Sequence, residues 1–299
     1  MNIVKTISEY HRLRSFSEPD HPLISVVDLS AIPAKQNISG VVINFYSVCI
    51  KRSSNINLKY GQQEYDFDSG VMFFMAPNQV FSLHTCSEEV PQQEGYLLLM
   101  HPDFFWNTSL AKKIKHYDFF NYSVKEALFL SKKEEVKIMN IIKDIEQEYQ
   151  ANMDNFSKPI TISYIETLLS FSERFYNRQF ITREKENHQI LNRLEKLLTD
   201  YFNNEDLISK GLPSVQFVAE SLNMSSGYLG NMLRTLTGQN TQQHIHDKLI
   251  EKAKEKLSTT NLSVSEIAYE LGFEHPQSFS KLFKNKTKQS PSEFRSSFN

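Results

Sequence analysis

The sequence holds only 2 cysteines in 299 residues, Cys49 and Cys86. A disulfide scaffold is thereby excluded. With no zinc-ligand spacing around them, the two thiols read as small apolar residues or, alternatively, as oxidant sensors. Glycine and proline are also scarce, at 9 and 10, which with 40% hydrophobic and 12% aromatic residues excludes a fibrous or disordered chain. No apolar run approaches the roughly 18 residues of a membrane span; the longest, Val41 to Ile50 and Tyr96 to Met100, fall far short. The opening MNIVKTISEYHRLRSF lacks the uninterrupted apolar core of a signal peptide, so a cytoplasmic chain with no membrane partner is expected. Excess charge is missing too. Lys+Arg 33 against Asp+Glu 35 means that contact with a polyanion requires a locally basic face.

What is present divides into two patterns, an α+β organisation of at least two domains. From about Leu23 to Met100, short β-branched and aromatic segments such as VVINFYSVCIKR, GVMFFMA, QVFSLHT and GYLLLM alternate with Asn, Ser, Gly and Pro, the spacing of a barrel or sandwich. Beyond Pro102 the period becomes helical. Ser131, with Glu134 three residues on, forms a capping box for a helix carrying Val136, Ile138, Ile141, Ile142, Ile145 and Tyr149. A second helix, with Pro159 near its start, carries Ile162, Ile165, Leu168, Leu169, Phe171 and Phe175. That stripe is broader than one packing partner needs, so one of the two helices is expected to pair across a homodimer. The run TREKENH, Thr182 to His188, contains no apolar residue and reads as a linker between residues 1–181 and 189–299, with a solvated helical extension as the alternative.

The C-terminal part repeats one grammar twice, from Ser214 (SVQFVAESLNMSSGYLGNMLRTLTGQN) and from Ser263 (SVSEIAYELGFEHPQSFSKLFKNKTKQSP). Ala219 and Ala268 stand where two helices cross steeply and only a small side chain fits. Asn223 and Gly272 occupy the turn, two residue types that tolerate positive φ in the same slot. Ser225 or Ser226 suits the cap of the second helix in the first unit, and Pro276 the first turn of its counterpart. Each unit reads as helix, turn, recognition helix. Between them Ile245, Leu249, Ala253 and Leu257 form one seam of a connecting helix of about 17 residues, or about 25 Å, comparable with the roughly 34 Å between successive major-groove entries.

The segment GFEHPQSFSKLFKNKTKQSPSEFR, Gly272 to Arg295, resembles the signature of AraC/XylS-type bacterial transcription regulators, and the resemblance extends back through KLIEKAKEKL and the first unit. Two positions depart from the pattern: Lys288 stands where the family commonly has Gly, and Lys248-Leu249 replace its usual Arg-rich start of the linking stretch. More weakly, YDFDSGVMFFMAPNQVFSLH, Tyr65 to His84, is similar to the cupin-like β-barrels that such regulators use as sensors and dimerisation platforms. The resemblance implies an activator that responds to a small-molecule effector, binds a double-stranded DNA operator and engages RNA polymerase; no enzyme activity and no cofactor is implied.

Base edges are expected to meet Gln277, Ser278 and Lys281 in the second unit, since Gln pairs bidentately with adenine and Lys donates to guanine, and Asn231 and Arg234 in the first. Lys284, Lys286 and Lys288 form a basic run suited to phosphates. For each of these the plain alternative is a solvated helix face. His244 and His246 point apart on a helix, and His84, His101 and His116 supply no convincing metal triad, so no metal is expected. Phe45, Tyr46, Phe73, Phe74 and Phe81 offer either the lining of a ligand pocket or a filled core. Two readings compete with the effector-responsive regulator: a cupin-type metalloenzyme tethered to DNA, and an effector-independent DNA-binding dimer.

Overall fold

The computed structural model describes all residues except 1, 32–37, 53–58, 61–62, 65–69, 84–93, 124–125, 152–153, 183, 205–206 and 298–299; side chains are further left undescribed at 2, 31, 38–39, 59–60, 63–64, 81–83, 184–186 and 209. Two compact units divide the chain between Gln179 and Phe180.

The N-terminal unit contains, in order, β1 (Asn2–Val4), α1 (Ile7–Leu13), β2 (Ile24–Asp28), β3 (Ile38–Ile43), β4 (Tyr46–Arg52), β5 (Lys59–Tyr60), β6 (Gln63–Glu64), β7 (Val71–Met75), β8 (Gln79–Leu83), β9 (Glu94–Met100), α2 (Leu110–Lys113), β10 (Leu128–Phe129), α3 (Lys132–Gln150) and all but the last turn of α4 (Ser157–Thr182). The apolar run that sequence alone presents as one strand is two. It breaks at Asn44, whose N–H donates to Val4 O at 3.1 Å, so that β3 and β4 belong to different sheets. One sheet has the order β1-β3-β8 and the other β10-β7-β4-β9-β2, with β5 and β6 forming a separate hairpin. No ladder among the described residues joins the two larger sheets, so they stay open and no closed barrel forms there. They are bridged instead by side chains: Val4, Val41 and Ile43 of the first sheet share a core with Leu97 and Leu99 of the second, with Ile7 and Tyr10 of α1 and with Phe45.

Both edges of the five-stranded sheet are covered by helices, as exposed strand edges require. On β2, Val26 N donates to the Tyr149 hydroxyl of α3 at 2.8 Å. On β10, the Gln179 amide of α4 accepts from Phe129 N at 2.8 Å and donates to Ala127 O at 3.2 Å, the two bonds that another strand would make. Helix α3 opens on the Ser131/Glu134 capping box and buries Ile138, Ile141, Ile142, Ile145 and Tyr149, while α4 buries Ile162, Ile165, Leu168, Leu169, Phe175 and Tyr176. The protomer itself therefore consumes most of the apolar stripe that sequence suggests is spare, leaving Val136, Phe156, Ile160 and Ile181 exposed.

The C-terminal unit is all helical among its described residues: α5 (Glu184–Phe202), α6 (Leu207–Lys210), α7 (Val215–Ser221), α8 (Ser226–Thr237), α9 (Thr241–Thr259), α10 (Val264–Glu270), α11 (Pro276–Thr287) and α12 (Pro291–Ser296). Residues 184–188 of the charged run belong to the first turns of α5. The α9 seam of Ile245, Leu249, Ala253 and Leu257 is buried throughout, so α9 is the central strut on which α5, α10, α11 and α12 pack. No described helix is long and apolar enough to cross a membrane.

Candidate nucleic-acid interface

The two helix-turn-helix units close their first helices with the same pair of hydrogen bonds. In the first, Met224 N donates to Ala219 O at 2.9 Å and Asn223 N to Glu220 O at 2.9 Å; in the second, Phe273 N donates to Ala268 O at 3.0 Å and Gly272 N to Tyr269 O at 2.9 Å. This is a Schellman termination, which needs a left-handed residue at its centre. Asn223 and Gly272 supply it, with φ of 60° and 83°. Ala219 and Ala268 are 1% and 0% exposed, which is what a steep close crossing of helices demands. Gly272 meets a second constraint that sequence does not announce: a Cβ there would stand 3.0 Å from the carbonyl carbon of Gly211. The residue pair Gly211 and Gly272 thus lets the segment after α6 lie against the second turn.

Both second helices are 12 residues long, run from the N-caps Ser225 and His275 to the left-handed C-caps Gly238 and Lys288, and so align position by position. Their inner faces are Leu229, Met232 and Leu233 on α8 and Phe279 and Phe283 on α11, all buried. Their outer faces carry the candidates. Gln277, Ser278 and Lys281 are exposed on α11; on α8 Arg234 is exposed and donates from Nη1 to Asn231 Oδ1 at 2.9 Å. The alignment sets Asn231 opposite Lys281 and Arg234 opposite Lys284, although residue type alone suggests bases for Arg234 and phosphates for Lys284.

The three candidate phosphate lysines differ in their surroundings. Lys284 is exposed, whereas Lys286 Nζ lies 2.6 Å from Asp247 Oδ1 of α9 and Lys288 Nζ donates to Asn285 O at 3.2 Å. On the linking helix, Lys248 and Lys252 pair with Glu251 and Glu255, and Lys256 with Glu270, so the positive charge of KLIEKAKEKL is largely compensated within the fold. His244 and His246 contact different groups, the Thr237 hydroxyl at 2.9 Å and Gln242 at 2.8 Å, and burial pushes both imidazoles below their ordinary pKa. Sequence reasoning missed Arg295, whose Nε donates to Leu257 O at 3.2 Å and ties α12 to α9. It also missed the Asn240/Gln243 capping box that starts α9, although the Asn-x-x-Gln spacing announces it.

The N-terminal unit has a partly open cavity of about 500 Å³ lined by residues that include Tyr10, Phe73, Phe74, Leu97, Phe119 and Tyr176. Of the aromatics nominated from sequence, Phe73 and Phe74 face it, Phe45 is sealed in the core, Tyr46 packs on Phe105 and Phe120, and the Phe81 side chain lies outside the described residues. His84 and Cys86 also lie outside them; His101 accepts from Asp103 N at 3.3 Å and His116 is exposed. Among the described residues no three His, Cys, Asp or Glu side chains gather as a metal site would require.

Comparison with known proteins adds relatives for the C-terminal unit. A family model described as a helix-turn-helix domain matches residues 218–297. The regulatory protein SoxS of Salmonella typhimurium is 32% identical over 82 residues, 27% of this chain and 77% of SoxS. The transcriptional regulatory protein YesN of Bacillus subtilis is 33% identical over 109 residues, 36% of this chain and 28% of YesN. Several other curated relatives are, like YesN, matched over a minor part, 10% to 29% of their length. Among solved structures, the C-terminal domain of the response regulator yesN from Fusobacterium nucleatum is similar at 31% identity and TM-score 0.30, over 37% of this chain and 98% of that one.

Proposed function

Because the chain belongs to the AraC-type family of DNA-binding transcription regulators, we propose that it recognises a specific operator through α8 and α11 and regulates transcription there as an effector-responsive activator. The carrying observation is the pair of aligned 12-residue helices, each delivered by the same turn and each presenting polar side chains outward. In this reading Asn231 and Arg234 read one major groove and Gln277, Ser278 and Lys281 the next. Helix α9, at 19 residues about 28 Å long, spaces them by slightly less than one turn of DNA, so the duplex bends toward the protein. Lys284 and Lys288 hold phosphates; Lys286 joins them by exchanging Asp247 for the backbone.

Residues 1–181 then act as a cupin-like sensor and dimerisation platform, with the charged run 182–188 as the junction and 189–299 as the DNA-binding domain. The cavity supports the sensor role, because its volume falls in the range that encloses small ligands. Exposed Val136, Phe156 and Ile160 around α3 and α4 support pairing of two copies. RNA polymerase is the partner that activation requires.

The decisive experiment is selection of bound sequences from a random DNA pool with the full-length protein, followed by mapping of occupied sites in the genome. A two-part motif with half-sites about one helical turn apart is expected. Binding of equal strength to all sequences would overturn the assignment.

A further inference from the structure

The two recognition helices are supported differently at their starts. Helix α11 has Pro276 in its first turn, and the ring of Phe273, in the turn before it, has its centre 5.5 Å from that of Phe279. The second unit thus braces its own reading helix. Helix α8 has neither device. The turn before it carries Met224 where the second unit has Phe273, and Gly227 and Gly230 stand where α11 has Gln277 and Ser280. Two glycines near the start weaken a helix, because glycine loses the most backbone freedom on becoming helical.

Support for α8 comes from outside both helix-turn-helix units. Phe180 stands in the last turn of α4 and belongs to the C-terminal unit. Its ring meets that of Tyr228, in the first turn of α8, edge to face, with 5.0 Å between centres and 78° between planes. Both residues are buried, Phe180 at 2% exposed and Tyr228 at 5%. Asn187, also buried, donates from Nδ2 to the Phe180 carbonyl, so the backbone of Phe180 is held as well as its ring. The residue of α11 that aligns with Tyr228 is Ser278, which is exposed. An enclosed residue at this place is a feature of the first unit alone.

We propose that Phe180 is a positioning residue for the first recognition helix. Held against Tyr228, it fixes the direction in which α8 leaves its turn, and with it the placement of Asn231 and Arg234; α11 does not depend on it. Base reading tolerates little displacement, since hydrogen bonds to base edges weaken steeply once distance and angle depart from their optimum. Phe180 lies well before residue 218, where the family match begins. This inference rests on the reading of α8 and α11 as DNA-reading helices and adds the residue through which the chain ahead of α5 bears on one half-site.

The test uses full-length Phe180→Ala and Phe180→Leu proteins, with melting as the control for folding. Amide exchange should be faster from Leu229 to Met232 of α8 in both variants, more so in Phe180→Ala, and unchanged from Phe279 to Phe283 of α11. Binding is then measured to the sequence that the wild-type protein selects from a random DNA pool, and to two versions with one half-site scrambled. The half-site at which Gln277→Ala relaxes discrimination belongs to α11, the other to α8. Phe180→Ala is expected to lose about tenfold on the intact site and nothing further when the α8 half-site is scrambled. Scrambling the α11 half-site should weaken it as much as it weakens the wild type. Phe180→Leu should move the same way by a smaller factor, and it carries the comparison if Phe180→Ala does not fold. Unchanged exchange in α8, unchanged binding, or a loss shared equally by both half-sites in a folded variant would each overturn the proposal. A wild-type protein that selects no motif would remove the DNA reading instead, and exchange in α8 would still decide whether Phe180 positions the helix.

Discussion

Asn223 and Gly272 hold the same left-handed turn in the two helix-turn-helix units, at φ 60° and 83°, yet only Gly272 is also pressed against backbone, that of Gly211. Substitution should separate the two constraints. Asn223→Ala is expected to cost about 1 kcal/mol, the strain of a left-handed residue. Gly272→Ala adds a close contact and should cost about 2 to 4 kcal/mol. Urea titration of the full-length variants measures both; equal losses would mean that the Gly211 contact yields without cost.

Lys288 caps α11 with φ 66°, the place that Gly238 fills with φ 75° at the end of α8. Lys288→Gly should therefore raise stability by about 1 kcal/mol while removing one cation. A melting temperature that fell would show that the lysine side chain stabilises the cap by more than the strain it carries.

On DNA, Gln277→Ala and Lys281→Ala should each relax discrimination at particular base pairs by about 1 to 3 kcal/mol. Lys284→Ala should weaken all sequences alike and reduce the salt slope by about one. Lys286→Ala should change the slope less than Lys284→Ala, because Asp247 competes for that ammonium. Binding isotherms at several salt concentrations decide among these; identical slopes for Lys284→Ala and Lys286→Ala would remove any role for Asp247.

Gln179 is 2% exposed and satisfies two backbone groups of the β10 edge. Gln179→Ala leaves Phe129 N and Ala127 O without these bonds and is expected to cost about 2 kcal/mol. Amide exchange should rise first at Phe129. Exchange there that stayed as slow as before would show that another group covers the edge.

Acid should loosen the C-terminal unit through its histidines. The folded pKa values of His244 and His246 lie below the ordinary value of 6.5, with burial the largest cause in both. The unfolded chain then takes up more protons, so this stability is complete above about pH 6.5 and declines as pH falls through that value toward the folded pKa. Glu266 and Glu293, whose pKa values are lowered by their caps from 4.5, act only in a more acidic window. Melting of a His244→Gln, His246→Gln variant should depend less steeply on pH between about 7.5 and 5.5; an unaltered dependence would exclude the two imidazoles as its source.

The sequence by itself determined what depends on local chemistry. The Ser131/Glu134 box, the buried α9 seam and the left-handed slots at Asn223 and Gly272 are all set by residues a few positions apart, where helical period and φ preference act directly. Tertiary structure decided what depends on partners distant in the chain. The split of one apolar run into β3 and β4 follows from the contact of Asn44 with Val4, and the open sheets follow from ladder pairing. The pairing of Lys286 with Asp247 brings together side chains from α11 and α9. Above all, whether the N-terminal aromatics fill a core or line a cavity depends on the separation of two facing sheets. Alternation along one strand assigns Phe73 a side but not a distance, and only the packing of both sheets leaves the space it faces.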